Sequence, residues 1–446
     1  MLNRIKYLTP ILLLTILLTY IYAPFYLKGL VQIGRLFYYS LSFLPFLSFL
    51  LLRPTVKISK DFYFWLMLLF LYISQVLFVP LITISFDFNY ILTTFRFGVT
   101  WITGCLSILC LYNFINGRTV RNIVFFKIVL NAFSFYIFGT ILFIAIPGLR
   151  EFWLSSIDIN NEYQKKLVNE IFYVTRFGFG GYTGFSFAFY VSSCSLILTF
   201  LFINKLVSAE RTMFYLFILS LGGVFYARTG IVVVLFTFLW LFLYCLYKRR
   251  GRLVLYAFLV LSCIFIIGFV VYFSVPTLKP FFYWFLSPIL NYFNTGKLET
   301  GSTNILIDFY RNFHPSDKTF FIGDGHWGNS DGSYYGKTDV GFMRNIYYGG
   351  IFYMLAQYSL VILLITLIYL KMKQLNYKGF IFIPLMLFMH FVIFEMKGDI
   401  AFLFMQQYIP FLIVITHPEY LSAEPKHTTR KIGLIKKYAL HFNAQM

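Results

Sequence analysis

Charge is scarce in this chain. Only 12% of its 446 residues are Asp, Glu, Lys or Arg, roughly half the share found in soluble domains. Too little polar surface is available to cover a water-soluble fold of this length. That excludes a soluble enzyme, and an apolar content of 59% excludes a disordered chain. Acids are scarcer still, at 17 against 37 basic residues. Cysteine is rare as well. Cys105, Cys110, Cys194, Cys245 and Cys263 all lie in apolar runs with no close pair, which excludes a disulfide scaffold and a thiolate metal site. No two of the six histidines have helical ligand spacing, so no bound metal and no cofactor is expected. No small-residue cleavage site follows the first apolar stretch, 8–26, and it is read as a retained membrane helix rather than a signal peptide.

What is abundant is apolar sequence, with a mean hydropathy of +0.76. Measured against roughly 20 apolar residues per bilayer crossing, the runs predict about twelve spans. They lie near 8–27, 35–52, 62–85, 90–115, 122–146, 184–204, 212–228, 229–247, 253–275, 346–370, 379–396 and 400–417. The pattern predicts an all-α polytopic membrane protein. Basic residues orient it: with both termini cytoplasmic, the inner segments carry a net charge of +18 and the outer ones +2. The overall +20 is then a topology signal, and nucleic acid is not an expected partner. The organisation reads as an N-terminal bundle over 1–146, a large outer loop over 147–183, central helices over 184–275, a second large outer loop over 276–345, C-terminal helices over 346–417 and a basic tail over 418–446. The start of the second loop, 275–293, is aromatic enough to lie in the membrane interface as an amphipathic helix.

Four arginines fall on the outer side, against the positive-inside bias: Arg96 within a span, Arg176 at the end of the first loop, Arg228 at a tight turn, and Arg344 where the second loop re-enters the membrane. Guanidinium forks match phosphate oxygens, so these four are candidate anion ligands; the plain alternative is snorkelling to the interface. Asp339, shortly before Arg344, is a candidate base for a hydroxyl or else an N-cap for the following helix. His326, beside Asp324 in a Gly-rich stretch, is the second candidate base or a solvated loop histidine. Glu395, Lys397 and Asp399 form a charged turn whose members are expected to pair with one another.

This layout resembles the Wzy-type O-antigen and capsule polymerases of bacteria. The resemblance is carried by Arg176 with the Phe-Gly-Phe-Gly-Gly-Tyr-Thr-Gly that follows, the turn Ala227-Arg-Thr-Gly, Ile322-Gly-Asp-Gly-His, and Asp339-Val-Gly-Phe-Met-Arg-Asn-Ile-Tyr-Tyr-Gly-Gly-Ile. One departure is that Phe187 stands where the family's spacing after the first loop arginine places glycine. The resemblance implies a GT-C-like glycosyltransferase at the outer face of the bacterial inner membrane. It would move a growing glycan from undecaprenyl pyrophosphate onto an incoming lipid-linked repeat unit, with Arg176 and Arg344 handling substrate. Lipid-linked oligosaccharides as donor and acceptor, membrane lipids and a chain-length regulator are the partners it implies. The rival readings are an O-antigen ligase and a lipid-linked oligosaccharide flippase or other transporter; the long 276–345 loop argues against the flippase.

The charge asymmetry makes a direct prediction. A reporter fused within 276–345 is expected to be extracytoplasmic and one within Lys248 to Arg252 cytoplasmic; alkaline phosphatase and fluorescent-protein fusions read this out, and an inward-facing long loop would reject the topology.

Overall fold

The computed structural model describes residues 2–51, 61–116, 123–159, 176–247, 279–297, 299–329 and 334–416, with isolated residues between 255 and 273. The chain is helical almost throughout. The main helices are Leu2–Tyr22, Val31–Leu51, Asp61–Ile82, Asn89–Thr94 continued by Thr100–Asn116, Ile123–Ala145, Phe185–Ile203, Ala209–Tyr226, Arg228–Tyr247, Gly341–Gln374, Phe382–Glu395 and Ala401–Ile415. One antiparallel hairpin pairs Phe177–Gly178 with Gly181–Tyr182. Among the described residues, four helices are long and apolar enough to cross a membrane: Val124–Ala145, Phe185–Ile203, Arg228–Tyr247 and Gly341–Gln374. Most of the expected span at 253–275 and the whole basic tail at 418–446 lie outside the described residues.

Phe185–Ile203 is the axis of the bundle. It is buried continuously from Phe187 to Ile203, as expected of a helix that is apolar all round. Its hydroxyls cause no penalty there, because Ser193 and Thr199 bond back to the carbonyls of Phe189 and Ser195. Ser192 Oγ meets His390 Nε2 at 2.7 Å, and His390 Nδ1 meets the Tyr408 hydroxyl at 3.0 Å. His390 stacks on Phe189 as well, so it is a satisfied core residue. The outward faces expose large apolar side chains such as Leu36, Phe70, Phe138 and Phe352, a surface suited to lipid rather than water.

Loop segments gather at two ends. At one end Asn204 bonds the backbone of Lys378, and Tyr377 that of Ile415. At the other, Ser85 bonds Gly325, Tyr90 bonds Asp399, Tyr310 bonds Met396 and Arg228 bonds Ser287. The first large loop contains the helix Pro147–Ser156 and the hairpin, which are tied to each other by Trp153 Nε1 donating to the Phe179 carbonyl. The aromatic stretch expected in the membrane interface is helical over Lys279–Thr295, with Tyr292 and Phe293 exposed.

Two helices depart from the continuous spans expected of the sequence, while the division between 212–228 and 229–247 falls where the sequence places it. The 90–115 run is interrupted by a π-helical turn over Phe95–Val99, and this turn carries Arg96. Ala209–Tyr226 and Arg228–Tyr247 are separated by one extended residue, Ala227. The re-entering helix begins at Gly341 rather than near 346 and breaks at Gly350, whose φ of 76° and ψ of −177° are not helical. That break leaves the carbonyls of Tyr347 and Tyr348 without helical partners. They accept instead from the backbone N–H groups of Asp324 and Gly325, at 2.7 and 2.8 Å. The Gly-Asp-Gly loop is thereby seated against the broken helix, and Gly323 (φ +82°) passes so near that a Cβ would lie 2.4 Å from the Tyr348 carbonyl oxygen.

Gly350 tests this arrangement. A Cβ there would lie 2.2 Å from the Phe321 carbonyl oxygen, in backbone geometry open essentially to glycine alone. Gly350→Ala is expected to cost about 1–3 kcal/mol and to lower the thermal midpoint in detergent. Gly148→Ala, at a position with open space, should leave it unchanged.

Candidate functional site

The loop-rich end holds two charged groups, divided by the turn at 396–400. The first is cationic. Arg176 stands at the entrance to the hairpin and donates Nη1 to the Tyr182 hydroxyl at 3.1 Å. Arg228 opens the helix Arg228–Tyr247 and reaches Ser287 Oγ at 3.3 Å. Lys397 lies between their fields: burial holds its ammonium below the usual lysine range, the charges of Arg228 and Arg176 push the same way, and Asp339 pulls back. Neither Glu395 nor Asp399 forms an ion pair with Lys397, so the expectation that this turn neutralises itself is corrected. The backbone directs Lys397 to the arginines and the two acids elsewhere. Among the described residues these three cations act together with one exposed carboxylate, Asp339, a grouping that attracts anions.

The second group surrounds Arg344. This residue lies in the first turn of its helix with 8% exposure. Its guanidinium carbon sits 4.1 Å from the Trp327 ring centroid and 3.7 Å from that of Tyr334, a cation–π clamp. Trp327 in turn stacks on Tyr90, with centroids 3.6 Å apart. Beside the clamp, Asn345 Nδ2 donates to Glu395 Oε1 at 3.2 Å and to Asp399 Oδ1 at 3.4 Å. Tyr358 donates to Glu395 at 2.7 Å and Tyr90 to Asp399 at 3.1 Å. Burial pushes the Asp399 carboxyl up, and Arg344 draws it back down. Gly341 is obligatory in this corner, since a Cβ would lie 2.2 Å from Glu395 Oε1.

The remaining candidates separate. Asp339 is not the N-cap: Val340 occupies that position without a side-chain cap, and Thr338 Oγ1 accepts from the Val340 N–H at 3.2 Å. His326 does not pair with its neighbour Asp324. Asp324 is occupied by Thr319 and Tyr335 at 3.0 and 3.2 Å and serves to fix the loop, whereas His326 Nδ1 lies 3.5 Å from Asp87 Oδ2. Arg96 stands with other partners, its Nε donating to the Tyr39 hydroxyl at 2.7 Å, with Arg35 and Tyr26 beside it. The four arginines expected to form one set are thus divided: Arg176 with Arg228, Arg344 with the acids, and Arg96 against the helix Val31–Leu51. Among the described residues no three His, Cys, Asp or Glu side chains gather as a metal site would require.

Four participants escaped sequence reasoning. Trp327 and Tyr90 carry no motif, and their meeting depends on the Gly-Asp-Gly loop docking; Asn345 lies within the motif that contains Arg344, but nothing in that motif marked it as a partner of the acids. Asp87 had a signal, as an acid at the mouth of an apolar run.

The ring clamp yields a stability prediction. Trp327→Ala removes the stack on Tyr90 and one ring from Arg344, and is expected to destabilise the protein by roughly 2 kcal/mol or more. Trp327→Phe should recover most of that in thermal unfolding; equal midpoints for wild type and Trp327→Ala would show that the clamp contributes nothing.

No protein-family model, no curated protein and no solved structure matches this chain. The chemistry of the side chains gathered at this end therefore carries the functional reading.

Proposed function

We propose that this chain is a polytopic membrane glycosyltransferase that elongates a lipid-linked glycan, with about twelve spans of roughly 20 residues in a GT-C-like arrangement and both termini cytoplasmic. The observation that carries the reading is the adjacency of a cationic group, Arg176, Arg228 and Lys397, to an acid pair, buried Glu395 and half-buried Asp399, at one end of an apolar-surfaced bundle. Glycosyl transfer from a lipid pyrophosphate makes two demands. Negative charge grows on the leaving phosphate, and the incoming hydroxyl must lose a proton. Fixed cations meet the first demand without reorganising during the reaction. A carboxylate or histidine meets the second.

In this reading the donor's pyrophosphate lies against Arg176, Arg228 and Lys397 at the outer face of the inner membrane, and its polyprenyl chain runs down the exposed apolar face of the bundle. Arg344 answers the charge of the acid pair instead of gripping phosphate. Arg96, on its separate wall, serves a lipid headgroup or the fold. Twelve spans alternate the loops so that 83–88, 176–184, 226–230, 323–340 and 396–400 share one side, and these are the segments that meet at the loop-rich end. His326, held by Asp87 in the loop before the re-entering helix, supports a second reading, ligation of a finished glycan to a lipid core. A deletion strain separates the two. Surface glycan reduced to one repeat unit indicates a polymerase, and loss of every repeat indicates a ligase.

The cation set yields the mutational test. Arg176→Ala and Arg228→Ala are each expected to lower elongation by about 10²–10³-fold, the loss typical of one preorganised donor. Arg→Lys at either site should be strongly impaired, because a point charge does not reproduce the guanidinium fork. Glycan length on gels, at equal membrane abundance of each variant, reads this out. Wild-type length in the double variant Arg176→Ala/Lys397→Met would place the phosphate site elsewhere.

A further inference from the structure

Glu395 and Asp399 share more than proximity. Both accept from the same amide nitrogen, that of Asn345. Glu395 accepts in addition from Tyr358 at 2.7 Å and from the backbone N–H of Ile400 at 2.9 Å, and Asp399 from Tyr90 at 3.1 Å. The phenols of Tyr72 and Tyr353 complete the surroundings. Every one of these hydrogen bonds donates into a carboxyl group, and among the described residues Arg344 is the cation whose charge acts on both acids. Lys397, next along the turn, belongs to the other group.

Two side chains at this corner have unused capacity. Asn345 is 1% exposed, and its Oδ1 has no hydrogen-bond partner. Arg344 is 8% exposed, and its Nε has no acceptor. Buried groups are normally satisfied. One of these lacks a donor and the other lacks an acceptor. Carboxylic and phosphate anions supply acceptors only; a hydroxyl supplies both.

We propose that this corner seats the hydroxyl of the acceptor sugar and that Asp399 takes its proton. The assignment rests on the glycosyltransferase reading and deepens it. The hydroxyl oxygen accepts from the Arg344 guanidinium and its hydrogen faces Asp399, while a neighbouring hydroxyl of the same sugar donates to Asn345 Oδ1; Asp399 is half-buried and Glu395 buried. In the transfer step the oxygen forms a bond to the donor's anomeric carbon. The bond from that carbon to the phosphate oxygen breaks, and its electron pair leaves with the lipid pyrophosphate, beside Arg176, Arg228 and Lys397. The hydroxyl proton passes to Asp399, where the second carboxylate favours its retention. Release of that proton restores the pair.

The experiment uses the full chain in liposomes with the native lipid-linked repeat unit, extracted from a strain deleted for this protein. Asp399→Asn is expected to lower kcat by roughly 10²–10⁴-fold, the range of a lost general base, while immobilised protein still retains the lipid-linked unit. Wild-type kcat should fall on the acid side as the pair takes up a proton. Glu395→Gln should move that acid limb to lower pH, because Asp399 then ionises without a negative neighbour; a purely structural Glu395 would lower the rate without moving the limb. If Asp399→Asn does not insert, the limb shift in Glu395→Gln decides. An Asp399→Asn rate within about threefold of wild type, against the factor expected of a general base, or an unmoved limb in Glu395→Gln, overturns this assignment alone. Absence of elongation by the wild-type protein overturns the polymerase reading and this assignment with it.

Discussion

A backbone carbonyl in an apolar medium has to find a donor within the protein, and the break at Gly350 creates two that need one. Tyr347 and Tyr348 receive the N–H groups of Asp324 and Gly325, and from that exchange the site follows. The loop is seated where Trp327 stacks on Tyr90 and covers Arg344, and where His326 reaches Asp87. Each unsatisfied group would cost several kcal/mol in hydrocarbon, so the loop and the broken helix define one another. Non-helical backbone is tolerated in apolar surroundings where it is buried in protein, and Tyr348, Gly349 and Gly350 are buried.

A single short turn separates charge of opposite sign. Lys397 turns toward Arg176 and Arg228, while Glu395 and Asp399 turn toward Asn345 and Arg344. Had the turn neutralised itself, neither side would carry a usable field. Held apart by alternate backbone directions, the two sides keep their fields, and low dielectric around them keeps both strong. Arg344 supplies the counter-charge on the acid side. Its clamp of two rings supplies attraction without using its hydrogen-bond donors, which a carboxylate partner would have occupied.

Helical character, apolar surface and the charged positions were legible in the residues themselves, because burial of charge is costly and a lone Arg in an apolar segment is conspicuous. Partnerships were not. Arg344 was visible as an exception to its surroundings, but Trp327 and Tyr334 reach it from a loop whose path depends on the φ of +76° at Gly350, in the helix that carries Arg344. Glu395, Lys397 and Asp399 were visible as a cluster, yet proximity in sequence suggested mutual pairing where the geometry separates them. The Gly349-Gly350 pair is a breaker signal that the strong apolar run around it concealed. The π-turn at Phe95–Val99 left no compositional mark, since it adds a residue to a turn without changing its hydropathy.

The one-residue break at Ala227 bears on how the protein is made. Ala209–Tyr226 and Arg228–Tyr247 fold against each other with Gly223 and Gly230 nearly touching, their Cα region 3.5 Å from a would-be Cβ, so the two helices form a closed pin with Arg228 at its tip. With the tip on the outer side, as proposed, that guanidinium must cross the hydrocarbon during biosynthesis, a passage costing about 2.5–3.5 kcal/mol on insertion scales. A pin entering the translocon as one unit has two helices to offset that cost. A chain that presented its first helix alone, released before the second was synthesised, would stall with the arginine on the side where it began.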